Sequence, residues 1–78
     1  MERVLKYLYR IELATSRDVI DFNRAATRFP GRIYLVNGNK RLNAKSILGV
    51  QLAKMTWDEI YLESDENCQF DFRKFIVG

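Results

Sequence analysis

Histidine is missing from this chain, cysteine, proline and tryptophan occur once each, and glycine occurs four times. With one thiol, Cys68, and no imidazole, no internal disulfide can form and no Cys/His cluster exists for zinc. Cys68 reads as a small buried hydrophobe. No apolar run approaches the roughly 20 residues of a membrane-spanning helix. The first ten residues scatter charges and contain no signal-peptide h-region. These absences predict a cytoplasmic protein with no membrane insertion, and no motif implies a metal or a cofactor. Repeats, low-complexity stretches and linkers are missing too. The chain is expected to be a single domain over residues 1–78, near the lower size limit for one core without disulfide or metal support.

What is present argues for a packed globule: 47% of the residues are hydrophobic and 13% aromatic. The formal net charge of +3 permits an acidic protein partner or nucleic acid and demands neither.

Residues 3–13 read as a strand, because Leu5, Tyr7, Tyr9, Ile11 and Leu13 alternate with Lys6, Arg10 and Glu12. Val4 and Leu8 interrupt that alternation. Thr15 and Ser16 offer a helix N-cap, with Asp18 placed as the acidic member of a variant capping box. A helix over 16–29 then puts Val19, Phe22, Ala26 and Phe29 on one arc, and Pro30-Gly31 ends it. Residues 32–36 form a short strand with Ile33 and Leu35 on one face. Asn37-Gly38 is expected to supply the positive φ values of a tight hairpin turn, with a return strand over 40–43. Ser46 is placed to cap a helix to about residue 54, and 59–63 is a further strand with Ile60 and Leu62 inward. The C-terminal segment fits two patterns. Cys68, Phe72, Phe75 and Ile76 make a helical stripe, whereas 68–73 alternates as a strand would. The order predicts an α+β fold, a sheet with helices stacked on one face.

The run Asn43-Ala44-Lys45-Ser46-Ile47-Leu48-Gly49-Val50, preceded by the Asn37-Gly38 turn and by an aromatic, Phe29, at the end of the first helix, resembles the regulatory-serine segment of the HPr family. These are the phosphocarriers of the bacterial sugar phosphotransferase system. The likeness runs without gaps over 26–50 and weakens beyond residue 54. It implies an HPr-like open-faced sandwich: a four-stranded antiparallel sheet with helices on one face, in the order β-α-β-β-α-β-α, the last helix shortened here.

In that alignment Thr15 falls where the family's phosphorylated histidine stands. The family's Gly-x-His-Ala-Arg-Pro loop reads Leu13-Ala14-Thr15-Ser16-Arg17-Asp18, and only Arg17 survives. A phosphocarrier needs the labile N–P bond of an imidazole. A threonine phosphate ester is a far poorer donor, and a hydroxyl without a general base is a weak acceptor. Asp18 adds a negative charge where phosphate would sit. Thr15 is therefore expected to be a helix cap, with no catalytic residue in this loop, and the chain is expected not to be an enzyme.

Ser46 is the family site that persists. In Gram-positive relatives the equivalent serine is phosphorylated by an ATP-dependent HPr kinase, and the phosphorylated form binds a transcriptional regulator. A dianion at a helix N-terminus meets unpaired N–H groups and the positive end of the helix dipole, although an unmodified serine cap has the same address. Arg17, Arg24 and Arg28 form a stripe opposite the core arc of the first helix, with Ile20 near it. By the resemblance, Ile47, Leu48 and Gln51 lie alongside, on the face that the family uses for Enzyme I, the sugar-specific subunits, the kinase and the regulator. Trp57, Tyr61, Phe70, Phe72 and Phe75 are expected in core or sheet packing rather than as stacking platforms for bases.

The sequence thus predicts a non-catalytic regulatory module that binds proteins. The alternative is an HPr-fold protein with an unrelated role, such as binding nucleic acid or another partner. Three arginines on one helix, without a recognised motif, make only a modest electrostatic case for nucleic acid.

Overall fold

The computed structural model describes residues 7–77; the expected strand residues Arg3, Val4, Leu5 and Lys6 lie outside them. The elements run β1 (Tyr7–Ile11), α1 (Ser16–Arg28), β2 (Ile33–Asn37), β3 (Lys40–Asn43), α2 (Ile47–Thr56), β4 (Ile60–Ser64) and α3 (Gln69–Phe72). The strands form one antiparallel sheet in the order β1-β4-β2-β3. This is the α+β architecture that the alternations and caps predict.

Side-chain alternation gives the sheet two different faces. On the inner face Tyr9, Leu62, Leu35 and Leu42 stand in one row across all four strands. Ile11, Ile33 and Ile60 extend this face, and helical residues Val19, Phe22, Ala26, Val50, Ala53 and Phe72 cover it. Phe22 is the hub, with its ring centroid 5.1 Å from that of Phe72 and 5.4 Å from that of Phe75, the latter edge-on. The edge-to-face contact with Phe75 adds about 1 kcal/mol to the burial itself.

Local chemistry sets the boundaries of α1. The Asp18 N–H donates to Thr15 Oγ1 at 3.1 Å, and the Asp18 carboxylate accepts from the N–H groups of Ala14 at 2.9 Å and Thr15 at 3.3 Å. The reciprocal capping box is therefore complete. At the other end, Lys45 Nζ donates to the Phe29 carbonyl at 2.7 Å, placing a cation at the negative end of the helix.

The hairpin differs from its prediction by one position. Asn37 is the last residue of β2, and the turn is centred on Gly38-Asn39. Only Gly38 has a positive φ, 61°. A glycine in that region followed by an ordinary residue is the II′ pattern, whose twist matches that of paired strands. Asn37 instead donates from Nδ2 to the Glu59 carbonyl at 2.8 Å, tying the hairpin to the start of β4.

The C-terminal segment takes one helical turn and then returns to the sheet. Cys68 and Phe72 are fully buried and Phe75 nearly so. Beyond α3 the Glu12 N–H donates to the Phe75 carbonyl at 2.9 Å, and the Val77 N–H donates to the Arg10 carbonyl at 3.0 Å, with Ile76 bridging Ile11. These bonds satisfy part of the outer edge of β1, which would otherwise present unpaired backbone groups. Phe70 departs from the core reading and is 76% exposed. One helical turn can turn only one side inward, and Phe72 takes it. Phe70 is left outside, with the Arg73 guanidinium 4.9 Å from its ring centroid.

Candidate functional site

The segment 43–50 is held by a chain of local bonds. The Asn43 side chain accepts from the Lys45 N–H at 2.8 Å, and its carbonyl accepts from the Ser46 N–H at 3.1 Å. Ser46 Oγ then caps α2, accepting from the Gly49 N–H at 3.3 Å. Ala44 and Val50 are fully buried. Gly49 is required by space, since a Cβ there would lie 2.9 Å from the Asn43 carbonyl oxygen. Most of the octapeptide is thus explained by folding alone. Ile47 and Leu48, 39% and 73% exposed, are not.

Those two side chains belong to a larger apolar surface. Helix α2 is apolar nearly all round, yet only Val50 and Ala53 reach the core. Leu48, Leu52 and Met55, at helical spacing, point outward, with Met55 81% exposed. Leu52 and Met55 were not legible in the sequence, because α2 carries apolar residues on every side and its few polar ones, Gln51, Lys54 and Thr56, do not mark a single outer face. Across the seam with α1, Ser16, Val19, Gln51, Lys54 and Met55 line a shallow groove of about 300 Å³, and Ile20, 43% exposed, flanks it from α1. The two helices are pinned at both ends of the seam. Asn23 Nδ2 donates to the Ala44 carbonyl at 3.4 Å, and Lys54 Nζ donates to the Ala14 carbonyl at 3.4 Å.

The charges around this surface are mostly positive. Arg17, Arg24 and Arg28 are all exposed on α1. They are not equivalent, however. Arg17 is engaged by Asp21, Nε to Oδ1 3.2 Å, four residues on. Lys74 Nζ binds the other oxygen of the same carboxylate, also at 3.2 Å. That hydrogen bond with Lys74, aided by Lys74 and Arg17 charge, holds the Asp21 carboxyl below its ordinary range. No ion pair engages Arg24 or Arg28 within the described residues. They stand four apart on one helix face, where like charges repel weakly, and line a depression on the α3 side together with Lys74 and the carboxylates Asp21 and Asp71. No acidic residue occurs in α2.

Thr15, in the slot that the resemblance gives to a histidine, has its hydroxyl committed to the Asp18 N–H and the Asp18 carboxylate beside it. No titratable base among the described residues hydrogen-bonds to its hydroxyl. Among the described residues no group of three or more Cys, Asp or Glu is placed to hold a metal ion, and no helix is long and apolar enough to cross a membrane. Cys68 is buried, and burial pushes its thiol pKa up despite a hydrogen bond with Ser64, so it stays protonated near neutral pH.

Comparison with protein-family models, curated proteins and solved structures returns no match.

Proposed function

We propose that this chain is a non-catalytic, HPr-like regulatory module that binds an acidic protein partner through the α1–α2 face, with Ser46 as a phosphorylation switch. One observation carries the reading. An apolar surface of Ile20, Ile47, Leu48, Leu52 and Met55 is left uncovered, and α1, which carries Ile20, also carries the exposed Arg24 and Arg28, which have no ion-pair partner among the described residues. Exposed apolar clusters of this kind mark interaction sites, and the cations select an acidic rim on whatever docks there. Gln51 supplies a polar contact within the same face.

Ser46 stands at the start of α2, immediately before Ile47 and Leu48. A phosphate on its Oγ would meet the unpaired N–H groups of the first helical turn. It would also change the sign of the surface at one end of the docking face. The resemblance of 43–50 to the HPr regulatory segment supports a partner set of HPr kinase, a transcriptional regulator or phosphotransferase subunits. Phosphoryl relay through Thr15 is disfavoured by the chemistry of the ester and by Asp18.

The test is incubation with ATP and an HPr kinase, with an ordinary HPr in the same tube, followed by intact mass and peptide mapping. The reading expects one phosphate on Ser46 and none on Ser46→Ala. If the ordinary HPr is labelled and this chain is not, the switch is wrong, and Ser46 is a cap alone.

A further inference from the structure

Sulfur is scarce in this chain, with two methionines and one cysteine, and the two described sulfur residues differ sharply in access. Cys68 is fully buried, and burial raises its thiol pKa. Little thiolate is therefore present near neutral pH, and none of it is open to a dissolved oxidant. Met55 is 81% exposed, more than any other large hydrophobic side chain among the described residues. It stands in the last turn of α2 and lines the α1–α2 groove with Ser16, Val19, Gln51 and Lys54. The opposite, open face of the sheet carries Leu8, Tyr34, Val36 and Tyr61 among the Arg41–Glu63 and Arg10–Glu59 pairs. Among the described residues that face holds no sulfur. The most accessible soft atom thus lies on the surface assigned to docking.

We infer that Met55 is a reversible oxidation site through which a hydroperoxide weakens docking at the α1–α2 face; the inference rests on that face being the working surface. A lone pair of the thioether sulfur attacks the outer oxygen of the peroxide, the O–O bond breaks and an S–O bond forms. Sulfur loses two electrons to the peroxide. The proton of the transferred oxygen passes to the departing oxygen, which leaves as an alcohol, or as water when the oxidant is hydrogen peroxide. A thioether has no proton to lose first, so access alone sets its place in the order of oxidation. The product is a polar sulfoxide, whose oxygen is a strong hydrogen-bond acceptor. Covering that oxygen with an apolar partner leaves it unpaired, which opposes docking. The groove itself also changes. Lys54 Nζ ties α2 to the Ala14 carbonyl at 3.4 Å and lines the same groove, so the sulfoxide offers it a competing acceptor. Leu48 and Leu52, the other members of the outward stripe, have no such chemistry. A methionine sulfoxide reductase restores the thioether with two electrons from a dithiol, releasing the oxygen as water.

The experiment titrates the native protein with hydrogen peroxide and follows the Met55 and Cys68 peptides by mass. Anilinonaphthalene sulfonate serves as the docking probe, because its apolar rings and single anionic group match an apolar groove beside Lys54. Its site is mapped by NMR shifts. The Met55 peptide is expected to gain one oxygen atom before Cys68 changes. Dye binding, with shifts at Val19, Gln51 and Leu52, should weaken several-fold on oxidation and recover after treatment with methionine sulfoxide reductase. Met55→Leu should bind dye as wild type does and ignore peroxide. Met55→Gln should bind as weakly as the oxidised protein without any peroxide. Oxidation of Cys68 ahead of Met55 in the native protein would overturn the inference. So would a fully oxidised Met55 that leaves dye binding in the groove unchanged, an outcome that spares the docking face and removes only the switch. Dye shifts confined to Tyr34 and Tyr61 on the open sheet would instead count against the face itself, and the inference would fall with it. The oxidised wild type decides the matter even if Met55→Gln fails to fold.

Discussion

The α1–α2 face and the open sheet face expose similar apolar side chains and order their charges in opposite ways. On the helical side the acidic residue of α1 nearest the arginines, Asp21, is consumed by Arg17 and Lys74. Arg24 and Arg28, exposed on the same helix, carry no ion-pair partner among the described residues. On the sheet side the arginines are paired across strands with Glu59 and Glu63. The first surface leaves two of its three arginines without an ion pair among the described residues, while the second pairs both of its arginines and leaves only Lys40, at the hairpin end, without one there. Exposed hydrophobic area alone does not distinguish them; the partnering of the neighbouring charges does.

The largest effect that would sharpen this contrast comes from the layer joining the two faces. Phe22→Ala removes a fully buried ring that touches Phe72 and Phe75 and should cost about 3–5 kcal/mol. Leu8→Ala, on the open face, should cost under about 0.5 kcal/mol in the monomer. Urea denaturation of both variants measures the difference, and similar losses would mean that the sheet's outer face is not open. Gly49→Ala should come next, at about 1–3 kcal/mol, because its new Cβ would press on the Asn43 carbonyl and move α2 against β3. A neutral or stabilising result in the same titration would show that the start of α2 can shift without cost.

The smallest effect concerns Asp21. Its folded pKa lies below the unfolded value, so its contribution is present above about pH 4 and is lost as pH falls through the folded pKa. Thermal melts from neutral to acidic pH should show a shallower acid limb for Asp21→Asn than for wild type. Identical limbs would mean that Asp21 does not neutralise Arg17 and Lys74, which would remove the contrast between Arg17 and the Arg24–Arg28 pair, unpartnered among the described residues.

The strands and α1 were legible wherever a single period dominated. Ile33 and Leu35, Ile60 and Leu62, and the Thr15–Asp18 box each admitted one reading, and the structure follows it. Legibility failed where two patterns overlapped. Residues 68–73 satisfy both the helical and the strand period, and the outcome depended on Phe72 and Phe75 reaching Phe22, a contact about 50 residues away in the chain. Helix α2 failed differently. Its residues are apolar on every side, so nothing local reveals that Leu52 and Met55 stay outside. The Arg17–Asp21 pair was present in the spacing, but the competition of Lys74 for the same carboxylate is tertiary. Of the candidate site, Ser46 and the arginine stripe could be read in advance. The full apolar surface and the cross-strand pairing of Arg10 and Arg41 on the open face required the fold.

The most direct test of the charge-order account is quantitative partner capture by three forms of the chain: wild type, Arg24→Glu/Arg28→Glu, and Leu8→Glu. Each form is checked for an unchanged melting curve. The account predicts that a protein with an acidic docking surface is retained by wild type and by Leu8→Glu and is lost from the double charge reversal. Retention by the charge-reversed form, or loss from Leu8→Glu alone, would contradict it and move the working surface to the open sheet.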